Sequence, residues 1–257
     1  MQVVILCGGM GTRIREVSEL VPKPMLRIGE FPIVWHIMKY FASFGHNEFV
    51  LCLGFKKEAF IDYFINYWYR NSDIKVDLDK NEVKFFDSHD ERSWSIVLAD
   101  TGLATNTGGR IRRIEQYIES DNFFMTYGDG VTNVDLNGLV DFHKSKGKTA
   151  TVTAVHPSSR FGEIKIRDDI VEAFDEKPQT SQGYINGGYM VLNRNIFSYL
   201  NEDPNLDFES TVMKNLAAAR ELCAFKHDDF WQCMDTSREY QFLNRVWSDG
   251  EVPWKTW

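Results

Sequence analysis

The chain opens on the stretch VVILCGGMGTRIREVSELVPKPM, residues 3–25, in which an apolar run leads directly into a glycine-rich loop. The run Val3–Leu6 has the composition of a strand covered on both faces, which is typical of a mostly parallel sheet between helical layers. The glycines let backbone N–H groups approach phosphate oxygens, and Arg13 and Lys23 can neutralise phosphate charge. The stretch therefore favours an α/β domain that binds phosphates. An ordinary glycine turn followed by solvated charges is the alternative.

This loop does not match the two commonest phosphate-binding motifs. A dinucleotide fingerprint that begins at Gly9-Met10-Gly11 would need its third glycine at Ile14, and no Gly-Lys-Ser/Thr sequence closes a Walker loop. What remains is a specific combination, Gly-Gly-x-Gly-Thr-Arg with Pro22-Lys23-Pro24 downstream, placed directly after a strand.

Beyond residue 25, apolar runs alternate with helical patterns. The spacing predicts helices at residues 33–44, 60–68, 111–118 and 136–146, and strands at 49–53, 94–98, 123–127 and 150–155. The polar turn after Ile74–Leu78 predicts a hairpin with Val83–Phe86. This alternation predicts an α/β fold with three layers and a mostly parallel central sheet.

After Pro157 the pattern changes to shorter strands, at residues 163–166, 170–174 and 189–192, followed by helices near 209–219 and 237–247. These strands predict a smaller β-rich lobe. Because no repeat or linker separates the parts, we expect one domain, residues 1–257, with functional halves at 1–156 and 157–257.

The composition excludes several classes of protein. The 257 residues are 43% hydrophobic and carry a net charge of −8, which disfavours broad binding to nucleic acid or anionic membranes. No apolar run is long enough to span a membrane, and residues 1–6 do not resemble a secretory signal, so a cytoplasmic location is the default expectation.

The cysteines and histidines do not indicate a metal site. Cys7, Cys52, Cys223 and Cys233 form no Cys-x-x-Cys pair, which predicts reduced core thiols. His36 lies on an apolar helical stripe, where a packed histidine is expected. Any metal should therefore be held by carboxylates.

The residues Leu6–Arg13 together with Pro22–Met25 resemble the signature of the sugar-1-phosphate nucleotidylyltransferases. The likeness continues along essentially the whole chain, at Pro32–Met38, Thr107–Arg110, Thr126–Gly130, Arg160–Gly162, Glu176–Pro178, Ile185–Gly188, Phe230–Gln232, Met234–Thr236 and Pro253–Trp257. The resemblance implies a Rossmann-like nucleotidyltransferase fold, with a nucleotide-binding half at residues 1–156. It implies a sugar-phosphate-binding half, including the C-terminal helices, at residues 157–257.

Within this family, the chain looks most like the members that use CTP and α-D-glucose 1-phosphate. The resemblance implies in-line attack of a sugar-phosphate oxygen on the α-phosphorus, giving CDP-glucose and pyrophosphate with Mg²⁺ as cofactor, in a protein that is usually a homo-oligomer. Such a reaction needs positioning and charge neutralisation rather than a dedicated nucleophile. Another nucleotide or sugar, or a silent nucleotide-binding protein, remains an alternative.

Position by position, the resemblance implies a site residue set. The catalytic residues would be Arg13, Lys23, Asp129 and Lys177, with Arg13 and Lys23 on the leaving pyrophosphate. The nucleotide would contact Leu6, Gly8, Gly9, Gly11, Thr12, Arg13, Lys23, Thr107, Gly108, Gly109, Arg110 and Gly128, with residues 107–109 as a turn. The sugar phosphate would contact Tyr127, Gly162, Glu176, Lys177, Asn186 and Gly187.

The two predicted metal ligands are Asp129 and Asp235. Asp129 directly follows a predicted strand, at the carboxyl edge where open α/β sheets bind ligands. The resemblance assigns Mg²⁺ to both carboxylates, and hard cations of this kind prefer oxygen ligands. Alternatively, Asp235 supports the N-terminus of the last helix beside Thr236 and Ser237.

Some features depart from the family or favour other classes. Val21 stands where relatives often carry a lysine, and Glu163 follows Phe161-Gly162 where a small residue is usual. Asp77-Leu78-Asp79 superficially matches the metal motif of glycosyltransferases, but it approaches a polar hairpin turn. The aromatic residues Trp231, Trp254 and Trp257 fit a core or subunit contact better than a stacking platform.

Overall fold

A computed structural model of the chain describes residues 1–9, 21–86, 90–157, 163–167, 170–175 and 183–257, with the segments 163–167 and 170–175 described by their backbone alone. The strands are β1 Val3–Leu6, β2 Arg27–Ile28, β3 Phe31–Pro32, β4 Glu48–Leu53, β5 Ile74–Asp77, β6 Glu82–Phe85, β7 Ser95–Asp100, β8 Asn122–Tyr127, β9 Gly130–Thr132, β10 Ala150–Val155, β11 Glu163–Arg167, β12 Ile170–Asp175, β13 Ile185–Asn193, β14 Leu222–His227 and β15 Trp231–Cys233.

The helices follow the predicted pattern closely. The α-helices are Ile33–Ser43, Lys57–Ile65, Tyr67–Asn71, Thr107–Arg113, Leu136–Lys146, Met213–Ala218 and Ser237–Asp249. Short 3₁₀ turns cover Lys23–Met25, Glu91–Ser93, Glu115–Tyr117 and Arg194–Tyr199, and a π-helical turn covers Phe208–Val212.

In the described part of the chain, the central sheet has seven strands in the order β14-β10-β13-β8-β1-β4-β7. Every neighbouring pair is parallel except the two pairs that β13 makes with β10 and β8, so the prediction of a mostly parallel sheet is confirmed. The prediction that the strand at residues 189–192 belongs to the smaller lobe is wrong, because β13 lies inside the central sheet. Its apolar residues are buried there between two other strands.

Alternating residues of the central strands fill two cores, one on each face of the sheet. Val3, Ile5 and Phe124 belong to one core with the helices Ile33–Ser43 and Leu136–Lys146. Val4 and Phe123 belong to the other core, with apolar residues near Ile111 and Leu216. Because side chains alternate across a strand, the sheet lies between two helical layers, which confirms the three-layer prediction.

An aromatic cluster joins the C-terminal segment to the helix Ile33–Ser43. Trp254 is fully buried, stacks on Phe230 and donates from Nε1 to Nδ1 of His36, while Nε2 of His36 lies 2.9 Å from the carbonyl oxygen of Ile28. Trp257 packs edge-on against Trp35. The core prediction for His36 and for these two tryptophans is confirmed.

The hairpin of β5 and β6 forms a separate two-stranded sheet, as the sequence predicts. Asp77 is the last residue of β5, and its carboxylate accepts a hydrogen bond from the backbone N–H of Lys80, while Leu78 and Asp79 lie in the exposed turn. Cys7 and Cys52 are buried free thiols, and Cys223 and Cys233 are half-buried free thiols. Among the residues described, no helix is both long and apolar enough to cross a membrane.

The burial of His36 predicts a specific loss of stability in acid. Burial lowers its pKa from 6.5 to about 4, so the unfolded chain takes up a proton at His36 before the folded chain does. This contribution to stability is present above pH 6.5 and is lost as the pH falls towards 4. We expect the free energy of unfolding to fall by about 2 kcal/mol more between pH 7.5 and pH 5 in the wild type than in His36→Gln.

Urea unfolding at the two pH values measures this difference. His46, whose pKa burial also lowers to about 4, is present in both proteins and cancels from the comparison. An identical pH dependence in the two proteins would contradict the assignment to His36.

Candidate active site

A cavity of about 420 Å³ opens at the carboxyl ends of β1 and β8. It brings together ten residues that the sequence singles out, namely Leu6, Gly8, Gly9, Lys23, Thr107, Arg110, Tyr127, Gly128, Asp129 and Asp235. Cys7, Pro24, Thr105, Asn106 and Asp207 complete its lining and were not predicted. The position matches the edge where open α/β sheets bind ligands.

Lys23 lies at the centre of the charged part of this cavity. Its ammonium contacts the Asp129 carboxylate at 2.6 Å and also the Asp235 carboxylate, although only 8% of the residue is exposed. Pro22 precedes the 3₁₀ turn Lys23–Met25 with φ at −65°, which fixes how the chain presents the lysine. The structure therefore brings together three of the predicted residues around one buried charge.

The pairing of β9 with β15 brings the two carboxylates close to each other. Gly130 stands opposite Cys233 in that pair, and the backbone N–H of Met234 donates to the carbonyl oxygen of Asp129 at 2.8 Å. Asp129 directly precedes Gly130, and Asp235 directly follows Met234. Both carboxylates therefore lie close enough to contact the Lys23 ammonium.

The electrostatics of the group favour a charged lysine. Burial lowers the pKa of Lys23, but the charges and hydrogen bonds of Asp129 and Asp235 outweigh this effect, so that the pKa lies above its usual value. One ammonium and two carboxylates leave a net charge of −1 in the cavity. Among the described residues, no group of three or more His, Cys, Asp or Glu side chains could hold a metal ion.

The helix cap after Asp235 is formed by Thr236, not by Asp235. Thr236 Oγ1 accepts a hydrogen bond from the backbone N–H of Glu239, and the Glu239 carboxylate accepts from the backbone N–H groups of Thr236 and Asp235. This is a capping box. The N-cap residue is therefore Thr236, and the Asp235 carboxylate contacts Lys23.

Arg110 is buried beneath the glycine loop and binds protein atoms. Its Nη1 donates to the carbonyl oxygens of Leu53 and Gly102 and to the Thr101 hydroxyl, and its Nη2 donates to the carbonyl oxygen of Gly8 at 3.1 Å. A Cβ on Gly8 would lie 2.1 Å from Nη1, so this approach requires glycine. Burial lowers the pKa of Arg110. A contact between Arg110 and a triphosphate stays a prediction.

Residues 107–109 begin a helix rather than forming the predicted turn. A Cβ on Gly108 would lie 2.8 Å from the carbonyl oxygen of Leu206, and one on Gly109 would lie 3.1 Å from that of Pro204. Neither glycine lines the cavity. In this structure their missing side chains make room for the segment 204–206.

The predicted sugar side is only partly described. Tyr127 lines the cavity and donates from its hydroxyl to Glu209, and burial together with Glu209 raises the pKa of Tyr127. The Asn186 carboxamide oxygen accepts from the backbone of Gly188, and the Gly187 carbonyl oxygen accepts from Trp231. The predicted residues Gly11, Thr12, Arg13, Gly162, Glu176 and Lys177 lie outside the described residues, as does the side chain of Glu163.

The sequence did not reveal the role of Glu209. It lies in the segment predicted as a helix near residues 209–219, where a glutamate is typical of a solvated face. No spacing pattern shows that it meets Thr107 and Tyr127, which come from different elements far away in the chain.

The chain is similar to known proteins along its whole length. The nucleotidyl transferase family model matches residues 2–249. The glucose-1-phosphate cytidylyltransferase of Salmonella typhimurium is 42% identical over 258 residues, and the probable glucose-1-phosphate cytidylyltransferase of Bacillus subtilis is 41% identical over 257 residues, with 100% of each chain covered in both cases.

A solved structure supports the fold. HddC from Yersinia pseudotuberculosis, complexed with GMP-PN, has a TM-score of 0.68 to this chain at 23% identity, covering 96% of this chain and 99% of that chain. At that identity the likeness extends to the Rossmann-like nucleotidyltransferase fold alone.

The buried contacts of Arg110 predict a structural penalty on its removal. Arg110→Met removes a charged donor from three carbonyl oxygens, although backbone N–H groups still donate to Leu53 and Gly8, so we expect the free energy of unfolding to fall by about 2 kcal/mol. Arg112→Met is the matched control on the same helix, because Arg112 pairs with Glu115 and Glu202 nearer the surface, where loss of the pair costs at most about 1 kcal/mol. Urea unfolding measures both. Equal losses in the two variants would contradict the structural role.

Proposed function

Because the chain belongs to the nucleotidyl transferase family, we propose that it forms CDP-glucose and pyrophosphate from CTP and α-D-glucose 1-phosphate. The observation that carries the reaction class is the buried Lys23 ammonium between two carboxylates, at the carboxyl edge of a parallel sheet. Cytosine and glucose are proposed from the two cytidylyltransferases that are 42% and 41% identical over their whole length.

The proposed reaction is a single in-line transfer. An oxygen of the sugar phosphate forms a bond to the α-phosphorus of CTP. The bond from that phosphorus to the oxygen bridging the α- and β-phosphates breaks, and its electron pair leaves with pyrophosphate. The protein's task is to align these atoms and to offset negative charge, so no covalent enzyme intermediate is needed.

The residues of the cavity suit that task. Glycine at positions 8 and 9 leaves the backbone accessible at the end of β1, and Lys23 supplies a positive charge beside it. We propose that Arg13 joins Lys23 on the leaving pyrophosphate. On the sugar side we propose that Lys177 neutralises the sugar phosphate, and that Glu176 and Asn186 bind sugar hydroxyls.

Asp129 and Asp235 are the proposed ligands of Mg²⁺. The fit is supported by the Lys23 ammonium, a cation that both carboxylates already contact, and by the net charge of −1 that remains. Carboxylate oxygens are the ligands that Mg²⁺ prefers, and the bound ion would offset phosphate charge. We further propose that the protein is a homo-oligomer, as the family resemblance implies, and that it works in the cytoplasm, the default expectation from its sequence.

The first experiment measures pyrophosphate release in the presence of Mg²⁺. CTP, UTP, dTTP, ATP and GTP are each offered with glucose 1-phosphate, and CTP is offered with other sugar 1-phosphates. We expect release with CTP and glucose 1-phosphate, and a fall in kcat of at least about 100-fold in Asp129→Asn with an unchanged melting curve. Asp141→Asn, which changes an exposed carboxylate on the helix Leu136–Lys146, is the control and should behave as wild type.

The other results of this panel are equally informative. Release with a different nucleotide or sugar would keep the nucleotidyl transfer and remove the substrate assignment. If folded protein releases no pyrophosphate with any of these substrate pairs, the result would contradict catalysis and favour the nucleotide-binding alternative.

The metal assignment has a test that does not depend on turnover. Lys23→Met leaves two carboxylates without their ammonium, so we expect MgCl₂ to raise the melting temperature of this variant by about 3 °C more than that of the wild type. NaCl at equal ionic strength controls for screening. Lys57→Met, which removes the partner of the exposed Asp100, is the matched variant. Equal Mg²⁺ shifts in Lys23→Met and Lys57→Met would contradict the assignment.

A further inference from the structure

Glu209 joins two walls of the cavity through both oxygens of one carboxylate. Thr107 donates from Oγ1 to Oε2 of Glu209 at 2.7 Å, and Tyr127 donates from its hydroxyl to Oε1. Thr107 is the first residue of the helix Thr107–Arg113, on the wall proposed for the nucleotide, and Tyr127 is the last residue of β8, on the wall proposed for the sugar phosphate. Glu209 itself does not line the cavity.

The backbone around Glu209 is held tightly in place. Glu209 lies in the π-helical turn Phe208–Val212, a form that is often found at functional sites. The turn is fixed at its start because the Asp207 carboxylate accepts from the backbone N–H of Ser210 at 2.6 Å. The backbone N–H of Phe208 donates to Oγ1 of Thr107 at 2.9 Å. These hydrogen bonds fix the backbone at Glu209, which limits where its carboxylate can lie.

The segment before this turn is also bound to the wall that carries Thr107. The backbone N–H of Asn106 donates to the carbonyl oxygen of Pro204 at 2.8 Å, and that of Gly109 donates to Leu206 at 3.2 Å. The two segments thus form one unit, and the hydrogen bond from Tyr127 to Glu209 links this unit to the end of β8.

The Glu209 carboxylate determines the direction in which both hydroxyl groups donate their hydrogen. An ionised carboxylate only accepts, so Thr107 and Tyr127 each direct their single hydroxyl hydrogen at Glu209. Each hydroxyl also has a second protein partner, because Thr107 Oγ1 accepts from the backbone N–H of Phe208 and the Tyr127 hydroxyl interacts with the Asn186 side chain. One lone pair on each hydroxyl can still accept a hydrogen bond from a ligand hydroxyl or amino group, but neither hydroxyl can donate to a phosphate oxygen.

We propose that Glu209 is a positioning residue that fixes the separation of the two walls and presents Thr107 and Tyr127 to the substrates as acceptors. This inference rests on the proposed function, and it adds a residue that couples the binding of the two substrates. Loss of the carboxylate releases both walls at once, so both substrates bind more weakly although neither touches Glu209.

The first test compares Glu209→Ala with Glu209→Gln in the pyrophosphate-release assay. We expect Glu209→Ala to raise the KM for CTP and the KM for glucose 1-phosphate about tenfold each, with a smaller effect on kcat, because a charge-assisted hydrogen bond is lost on each wall. Glu209→Gln keeps the shape and one acceptor oxygen, so we expect both KM values to stay within about threefold of wild type. Thr211→Ala, at an exposed position in the same turn, is the control.

A double-mutant cycle separates coupling from simple loss of packing. In the wild-type background, Thr107→Val and Tyr127→Phe should act on the two KM values with an interaction of at least about threefold, because both act through one carboxylate. In the Glu209→Ala background this interaction should vanish. If Glu209→Ala does not fold, the cycle is run in Glu209→Gln, where the interaction should shrink.

Three results would overturn the proposal: wild-type KM values in Glu209→Ala, a change confined to one substrate, or an interaction that persists without the carboxylate. A drop in melting temperature with unchanged KM values would assign Glu209 a structural role only and would also overturn it. Failure of the proposed function is distinguishable, because it is seen in the wild-type protein as silence with every nucleotide and sugar phosphate.

Discussion

The carboxyl edge of the sheet depends on one buried guanidinium. A carbonyl oxygen can accept two hydrogen bonds, and at this edge the oxygens of Leu53 and Gly8 accept one from the backbone N–H groups of Thr101 and Phe55 and another from Arg110. Arg110 donates to oxygens at the ends of β1, β4 and β7, at Gly8, Leu53 and Gly102. One side chain thus links the ends of three neighbouring strands. Arg110 and Gly8 also line the cavity, so this link supports the cavity wall.

Lys23 balances the negative charge of two carboxylates in the cavity. Two carboxylates this close would repel each other in a partly dehydrated site, and the ammonium between them removes that repulsion. Under the proposed function, a triphosphate and a divalent cation would bring charges with which these three groups can exchange partners. The cavity is therefore organised before any substrate enters, and its organisation consists of charges that the substrates can exchange with.

Much of this could be predicted from the sequence. Runs such as Val3–Leu6 are apolar on both faces and identify buried parallel strands, and the glycine loop with Lys23 and the carboxylates was recognisable by resemblance. The placement of β13 was not predictable, because short strands after Pro157 look alike whether they join the central sheet or a separate lobe. The roles of Arg110 and Glu209 were hidden for a related reason, since their partners come from elements distant in the chain, and local patterns carry no information about such contacts.

The position of β1 has a further consequence for how the chain reaches this structure. Although it is the first strand in the sequence, β1 lies between β4 and β8 in the sheet, with Val3 opposite both Phe49 and Phe124. Its pairing with β8 must close a loop of more than about a hundred residues, and such non-local pairing slows folding. The edge that holds the cavity therefore forms late, after the helical crossovers have brought β8 back to β1.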